Sequence, residues 1–272
     1  MQIALSTYFL PHLPFEKAVR ELLEAGGEAV EVIWDLPHFG PNGDPLASRK
    51  FLQKLHVPLS VHAPFFDLNL ASAYKEIREV ALRRLKDCVD FCGDVGATPM
   101  VVHPGYSLFR DFKEVFKEAR KRFEETLEEL VDYGRKRGTK VSVENVQSPY
   151  FMVWRAEELE HLCQNLGVGA TLDIGHAYIT ERQLGSSRPE EGIVQAIKRL
   201  SPFLDHLHLH DNHGDKDEHL ALGKGKIDFG PIVKSLNLIG FQGKLVLEAW
   251  HPERSKERAV EEVRKLKSLL KN

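Results

Sequence analysis

The stretch PMVVHPGYSLFRDFKEVFKEARKRFEETLEELVDYGRKRGTKVSVE, residues 99–144, contains the pattern that decides the fold. It opens on a β-rich run, PMVVH (99–103), that ends in a histidine. A long amphipathic segment follows and closes on Gly138, a residue suited to a helix C-cap. A second β-rich run, KVSVE (140–144), then ends in a glutamate. A strand, a crossover helix and another strand imply two parallel neighbours in one sheet.

The same pattern repeats outward from this unit. The other strand candidates are QIALS (2–6), AVEVIW (29–34), PLSVH (58–62), GATLD (169–173), LDHLHLH (204–210) and KLVLE (244–248). Helix-period segments such as FEKAVRELLEAG and IREVALRRLKDCVDFCGDVG lie between them, and Gly26 and Gly96 sit at helix ends like Gly138. Eight strands and about eight helices in 272 residues give one unit per 34 residues, with no linker-like segment. The expectation is α/β, a single closed (β/α)8 TIM barrel over residues 1–272. An open doubly wound sheet is the alternative. It calls for a glycine-rich phosphate loop after the first strand, and STYFLPHLP (6–14) is not one.

Composition excludes several classes. With 42% hydrophobic and 28% charged residues the chain can bury a large core. A formal net charge of −3 gives no general attraction to nucleic acid or to an anionic membrane. MQIALSTYFLPHLPFEK lacks a basic segment leading into a long apolar one, so the expectation is a soluble cytoplasmic protein, one that could form a homo-oligomer. Cys88, Cys92 and Cys163 are too few for a disulfide scaffold and are expected to be buried thiols. The charge-dense helix around 113–137 is expected to be a solvated outer face.

The chemistry of such a barrel sits at the carboxyl ends of its strands. Those ends carry His62, His103, Glu144, Asp173 with His176 three residues on, His208, and Glu248. One such residue is usually a packing residue. Six successive strands ending this way would bury many ionisable groups around one axis, which is costly without a cation. Imidazole and carboxylate are ligands for divalent zinc, manganese or cobalt. A metal centre of one to three ions is therefore expected. Strand seven and its loop, HLHLHDNHGDKDEH (206–219), hold five of the thirteen histidines. His206, His208 and His210 alternate onto one face, and only the one nearest the open end is expected to reach a central metal. Asp217 and His219 could return from the loop as further ligands.

HAPFFDLNLAS (62–72), HPG (103–105), EN (144–145), LDIGH (172–176), HLHD (208–211), DEHLALGKG (217–225) and LE (247–248) together resemble the xylose-isomerase-like barrel superfamily. That group includes sugar (phosphate) isomerases and epimerases, and the endonuclease IV type of apurinic-site endonuclease. For the isomerase branch the resemblance implies one metal on Glu144, Asp173, His208 and Glu248. The two glutamates would transfer protons and His176 would contact substrate. For the endonuclease branch it implies three zinc ions on nine ligands: His62, His103, Glu144, Asp173, His176, His208, Asp217, His219 and Glu248.

Two chemistries fit this set. An isomerase or epimerase of a sugar or sugar phosphate would remove and return a proton through a metal-stabilised enediolate, using Glu144 and Glu248. His176 and His219 are then substrate contacts, and the GKGK loop (223–226) could hold a phosphate through backbone amides and Lys224. Phe65, Phe66, Tyr106, Trp154 and Trp250 could shape the pocket. The alternative is a multi-zinc phosphodiester hydrolase in which Glu144 bridges two metals. DNA as substrate needs a basic mouth, but the loops IGHAYITERQLGSSRPEEG (174–192) and 211–226 balance their cations with acids. The isomerase reading is preferred, with a small-molecule partner, no nucleic acid and no membrane. A non-catalytic metal- or sugar-binding barrel would not need both candidate proton-transfer glutamates.

Overall fold

A computed structural model describes residues 1–39, 45–250 and 255–271. The apolar and β-branched runs form β1 (Gln2–Ser6), β2 (Ala29–Ile33), β3 (Leu59–His62), β4 (Met100–Val102), β5 (Val141–Glu144), β6 (Gly169–Asp173), β7 (Leu204–Leu209) and β8 (Lys244–Leu247). Each pairs in parallel with its sequence neighbours, and β8 returns to β1 in the register Gln2↔Lys244 to Leu5↔Leu247. The sheet is a closed eight-stranded barrel, as the strand–helix alternation predicts.

The described helices are α1 (Phe15–Glu24), α2 (Pro45–Leu52), α3 (Lys75–Val95), α4 (Lys113–Arg137), α5 (Ala156–Leu166), α6 (Ile174–Gln183), α7 (Pro189–Leu200), α8 (Phe229–Leu238) and α9 (Lys256–Lys271). None of them is long and apolar enough to cross a membrane. Gly96 and Gly138 close α3 and α4 in the left-handed conformation that glycine adopts without steric cost. One stripe of each helix faces the sheet. Leu85, Cys88, Phe91 and Cys92 of α3 are fully or nearly fully buried, as are Phe123, Leu127 and Leu130 of α4. Each large apolar side chain stabilises the wall by roughly 1.5–3 kcal/mol relative to exposure. All three cysteines are free and buried.

One segment differs from its sequence reading. Residues 174–192, which read as a mouth loop, are mostly helix: α6 starts directly at the end of β6, and α7 begins at Pro189. The reason is Asp173, whose carboxylate accepts the His176 N–H at 2.6 Å and caps α6.

The inside of the barrel is small and polar. Ala4, Ala29 and Val246 form an apolar cluster apart from the main core. Ser6, Glu31, Ser60, Ser142, Thr171 and His206 are all completely buried. Their strands alternate inward, so the same parity that buries them brings His62, Glu144, Asp173, His208 and Glu248 to the mouth.

Candidate metal centre

The expected residues converge in adjoining groups that share members, with Glu144, Asp173 and His176 linking the three described next. The first is His62, His103 and Glu144. His62 Nδ1 donates to the Ala63 carbonyl at 2.9 Å, which leaves Nε2 to face His103 Nε2 at 3.2 Å. Glu144 Oε2 lies 3.4 and 3.3 Å from those two nitrogens. The second group is Asp173, His208 and Glu248. His208 Nδ1 is 3.4 Å from Glu144 Oε1 and 3.5 Å from Glu248 Oε2. Glu144 therefore turns one oxygen to each group.

The third group contains His176, Asp217 and His219. His176 Nδ1 donates to the Asn145 carbonyl and His219 Nδ1 to the Glu248 carbonyl, at 2.9 and 3.0 Å. Both Nε2 atoms face Asp217, at 3.2 and 3.3 Å from its oxygens. Backbone carbonyls that fix one ring nitrogen and free the other are the usual support of metal-binding histidines. Asn145 joins the ends of β5 and β6: its side chain accepts from Asp173 N at 2.8 Å and donates to Asp173 O at 3.1 Å.

Buried polar atoms nearly always find a hydrogen-bond partner. Here Glu144 Oε2, Asp173 Oδ2, His208 Nδ1 and Asp217 Oδ1 are buried without one. Lone pairs left unsatisfied and aimed at each other are what a bound cation would relieve, so the residues fit a divalent metal in each group.

The electrostatics of the metal-free groups follow from burial and proximity. Burial pushes the Glu144 carboxyl up, but His208 and His103 hold it well below the usual carboxylate range. Burial pushes Glu248 well above that range; His208 opposes this, while Glu31, Glu144 and Asp173 add to it. Burial disfavours charge on His208 and His176, yet the carboxylates around them raise both well above an ordinary imidazole.

Two members of the cluster lie outside the expected set. Glu31, in the middle of β2, lies with His208 Nε2 3.0 Å from Oε1 and His206 Nε2 2.6 Å from Oε2. His210 is the other, and its ring joins the third group. The signal for Glu31 is a lone charge at an inward position of a strand. For His210 it is the HLHLH alternation.

Lys224 lies in the 223–226 loop. It is exposed, and the amides of Lys224, Gly225 and Lys226 are committed within the protein. Those of Gly225 and Ile227 donate to the Asp211 carboxylate, at 2.8 and 3.1 Å. Those of Lys224 and Lys226 donate to the Ala221 and Asn212 carbonyls. A phosphate cradle needs free amides, and these four are already engaged.

The expected aromatics have separate roles. Phe65 stacks on His103 at 4.7 Å, and Trp250 stacks on His219 at 4.2 Å. Trp154 is buried under the Arg110 guanidinium, and Tyr106 packs on Phe151. Beside the metal groups opens a pocket of about 640 Å³ lined by Tyr8, Pro11, His12, Leu36, Pro37, Phe66, Asp67 and Trp250. Nothing in the sequence pattern singles out Tyr8. Burial, with Asp35 and Glu248, raises its phenol.

Known proteins resemble this chain over most of its length. A probable endonuclease 4 of Mycobacterium marinum is 26% identical over 208 residues, which cover 75% of this chain and 78% of that protein. The structure of a D-tagatose 3-epimerase-like protein superposes with a TM-score of 0.85 at 25% identity, covering 100% of this chain and 97% of its own. The TTHB071 protein of Thermus thermophilus, soaked with zinc chloride, superposes with a TM-score of 0.70 at 25% identity, covering 98% and 96%. The family model described as the xylose isomerase-like TIM barrel matches residues 19–269, and the chain belongs to that family.

Proposed function

We propose that this protein is a divalent-metal-dependent isomerase or epimerase of a sugar. The observation that carries the reading is a pair of carboxyls that converge on one imidazole beside an aromatic pocket. Glu144 and Glu248 approach the same nitrogen of His208, at 3.4 and 3.5 Å. The adjoining pocket has Tyr8, Phe66 and Trp250 in its wall and, among its described lining residues, no lysine or arginine. Such a wall suits the apolar faces of a neutral sugar better than a polyanion. With the loop amides beside Lys224 already committed, an unphosphorylated sugar is favoured.

Glu144, Asp173, His208 and Glu248 would hold the metal. When bound, a divalent ion there supplies Lewis acidity to a substrate carbonyl and its neighbouring hydroxyl. The chain supplies the proton path. Glu144, as a carboxylate, takes the proton from the carbon next to the carbonyl. Glu248, which approaches the same His208 nitrogen as Glu144, returns a proton to the opposite face. Removal from one face and return to the other inverts the centre. The sequence reading makes His176 and His219 substrate contacts. Their Nε2 atoms turn to Asp217 instead, which favours a ligand role for both.

One observation favours a second reading, a multi-zinc phosphodiesterase. The two oxygens of Glu144 face different donor groups, as a carboxylate bridging two metals would. One experiment separates the readings. Native protein and Glu248→Gln are incubated with a panel of ketoses in deuterated water, and with bis-p-nitrophenyl phosphate. The expected result is deuterium entering the sugar next to its carbonyl, with a rate roughly 10²–10⁴-fold lower in the variant. Ester hydrolysis without sugar exchange would replace the first reading by the second.

A further inference from the structure

His210 is the uppermost of the three inward histidines of the β7 stretch. It is completely buried, and neither ring nitrogen has a hydrogen-bond partner. Its Nε2 lies 3.1 Å from Asp173 Oδ1 and 3.6 Å from Asp217 Oδ1. Room for the ring comes from Gly175, where a Cβ would fall 2.1–2.5 Å from ring atoms. His219 stacks on the ring at 3.9 Å, and Trp250 covers the other face of His219. One donor atom from each of His176, His210, Asp217 and His219 lies within 4.8 Å of the other three.

We propose that His210 completes the His176, Asp217 and His219 group as a fourth ligand and so closes it into a zinc site with a structural role. Zinc prefers four tetrahedral ligands, and nitrogen with carboxylate oxygen is a normal set for it. Sites that do chemistry keep three protein ligands and leave the fourth position to water or substrate, whereas structural sites fill all four. The resemblance implies three ligands here: His176, Asp217 and His219. His210 takes the fourth position. A zinc in this group joins the first turn of α6, the end of β7 and the 217–219 loop, and offers no position for an attacking water. The inference goes beyond the sugar reading and does not depend on the reaction assigned to Glu144 and Glu248.

The test uses the full-length protein loaded with zinc, then treated briefly with EDTA. Native protein and Glu248→Gln should both retain one slowly released zinc per chain. His210→Asn should release it at least 10-fold faster, since losing even an outer-shell partner of a metal ligand typically costs 10–100-fold in affinity. Native protein reconstituted with cobalt should display the intense visible absorption of a tetrahedral ion, a readout that needs no variant to fold. A slowly released zinc that survives His210→Asn overturns the proposal, and so does native protein with no EDTA-resistant metal. Resistant zinc without sugar exchange leaves this proposal standing while the proposed function fails.

Discussion

His206 and His210 occupy the same face of one strand and are equally buried, yet they end in opposite situations. His206 meets the Glu31 carboxylate at 2.6 Å. His210 has no hydrogen bond at either nitrogen. Between them His208 turns Nε2 toward Glu31 and Nδ1 toward Glu144 and Glu248. A buried imidazole hydrogen-bonded to a carboxylate is a supported group, and one whose nitrogens face carboxylates without such a bond is placed as a metal ligand would be. Read from the barrel interior to the mouth, the strand passes from a hydrogen-bonded imidazole to candidate ligands.

Removing the support should have the largest effect. Glu31→Ala takes away the partner of two buried imidazoles at once. Breaking a buried charged pair typically costs about 3–5 kcal/mol, and chemical denaturation should register a loss of that size. Zinc titration against a competing chelator should also weaken roughly 10–100-fold at the site containing His208. Lower stability with unchanged zinc affinity would break the comparison, because Glu31 would then act on His206 alone.

The upper end can be disturbed without touching a ligand. Gly175→Ala forces a methyl group into the His210 ring. Overpacking of this kind costs about 1–3 kcal/mol. Thermal melts with and without zinc should locate that loss in the zinc-bound form, while the His206–Glu31 pair stays intact. Equal destabilisation of both forms would mean that the ring position does not matter for metal.

The smallest effect is a proton count. Neighbouring carboxylates raise His176 and His208 well above an ordinary imidazole, so both hold their protons more tightly. A cation must displace them. Zinc affinity should therefore rise with pH, and binding should release protons. Titration calorimetry in two buffers of different ionisation enthalpy measures that release. Uptake of protons, or affinity that falls with rising pH, would contradict the assignment.

Much of this arrangement is legible in the sequence. The strand–helix alternation fixes the barrel, and one ionisable residue at each successive strand end marks the mouth from His62 to Glu248. What escapes depends on depth and on local capping. Glu31 lies inside AVEVIW, where a strand reading registers only an apolar run. His210 shares its face with His206 and His208, and the room that Gly175 leaves for its ring beside Asp217 and His219 is a packing fact the sequence does not display. The start of α6 is hidden because Asp173 reads as a ligand and not also as a cap. The loop glycines near Lys224 look like a phosphate loop. Gly225 is needed because Asp211 and the Asn212 carbonyl crowd it, leaving no space for a Cβ.

Asp173 has a consequence for how this chain can change over generations. One of its oxygens holds the first turn of α6, and the other faces His208. Its backbone is clasped by Asn145 from the next strand. A substitution tolerable to the helix, such as Asn, still withdraws the negative charge from the cluster. One that keeps the charge, such as Glu, moves it a methylene away from the helix start. Architecture and chemistry are thus encoded in a single codon, and neither can drift without the other.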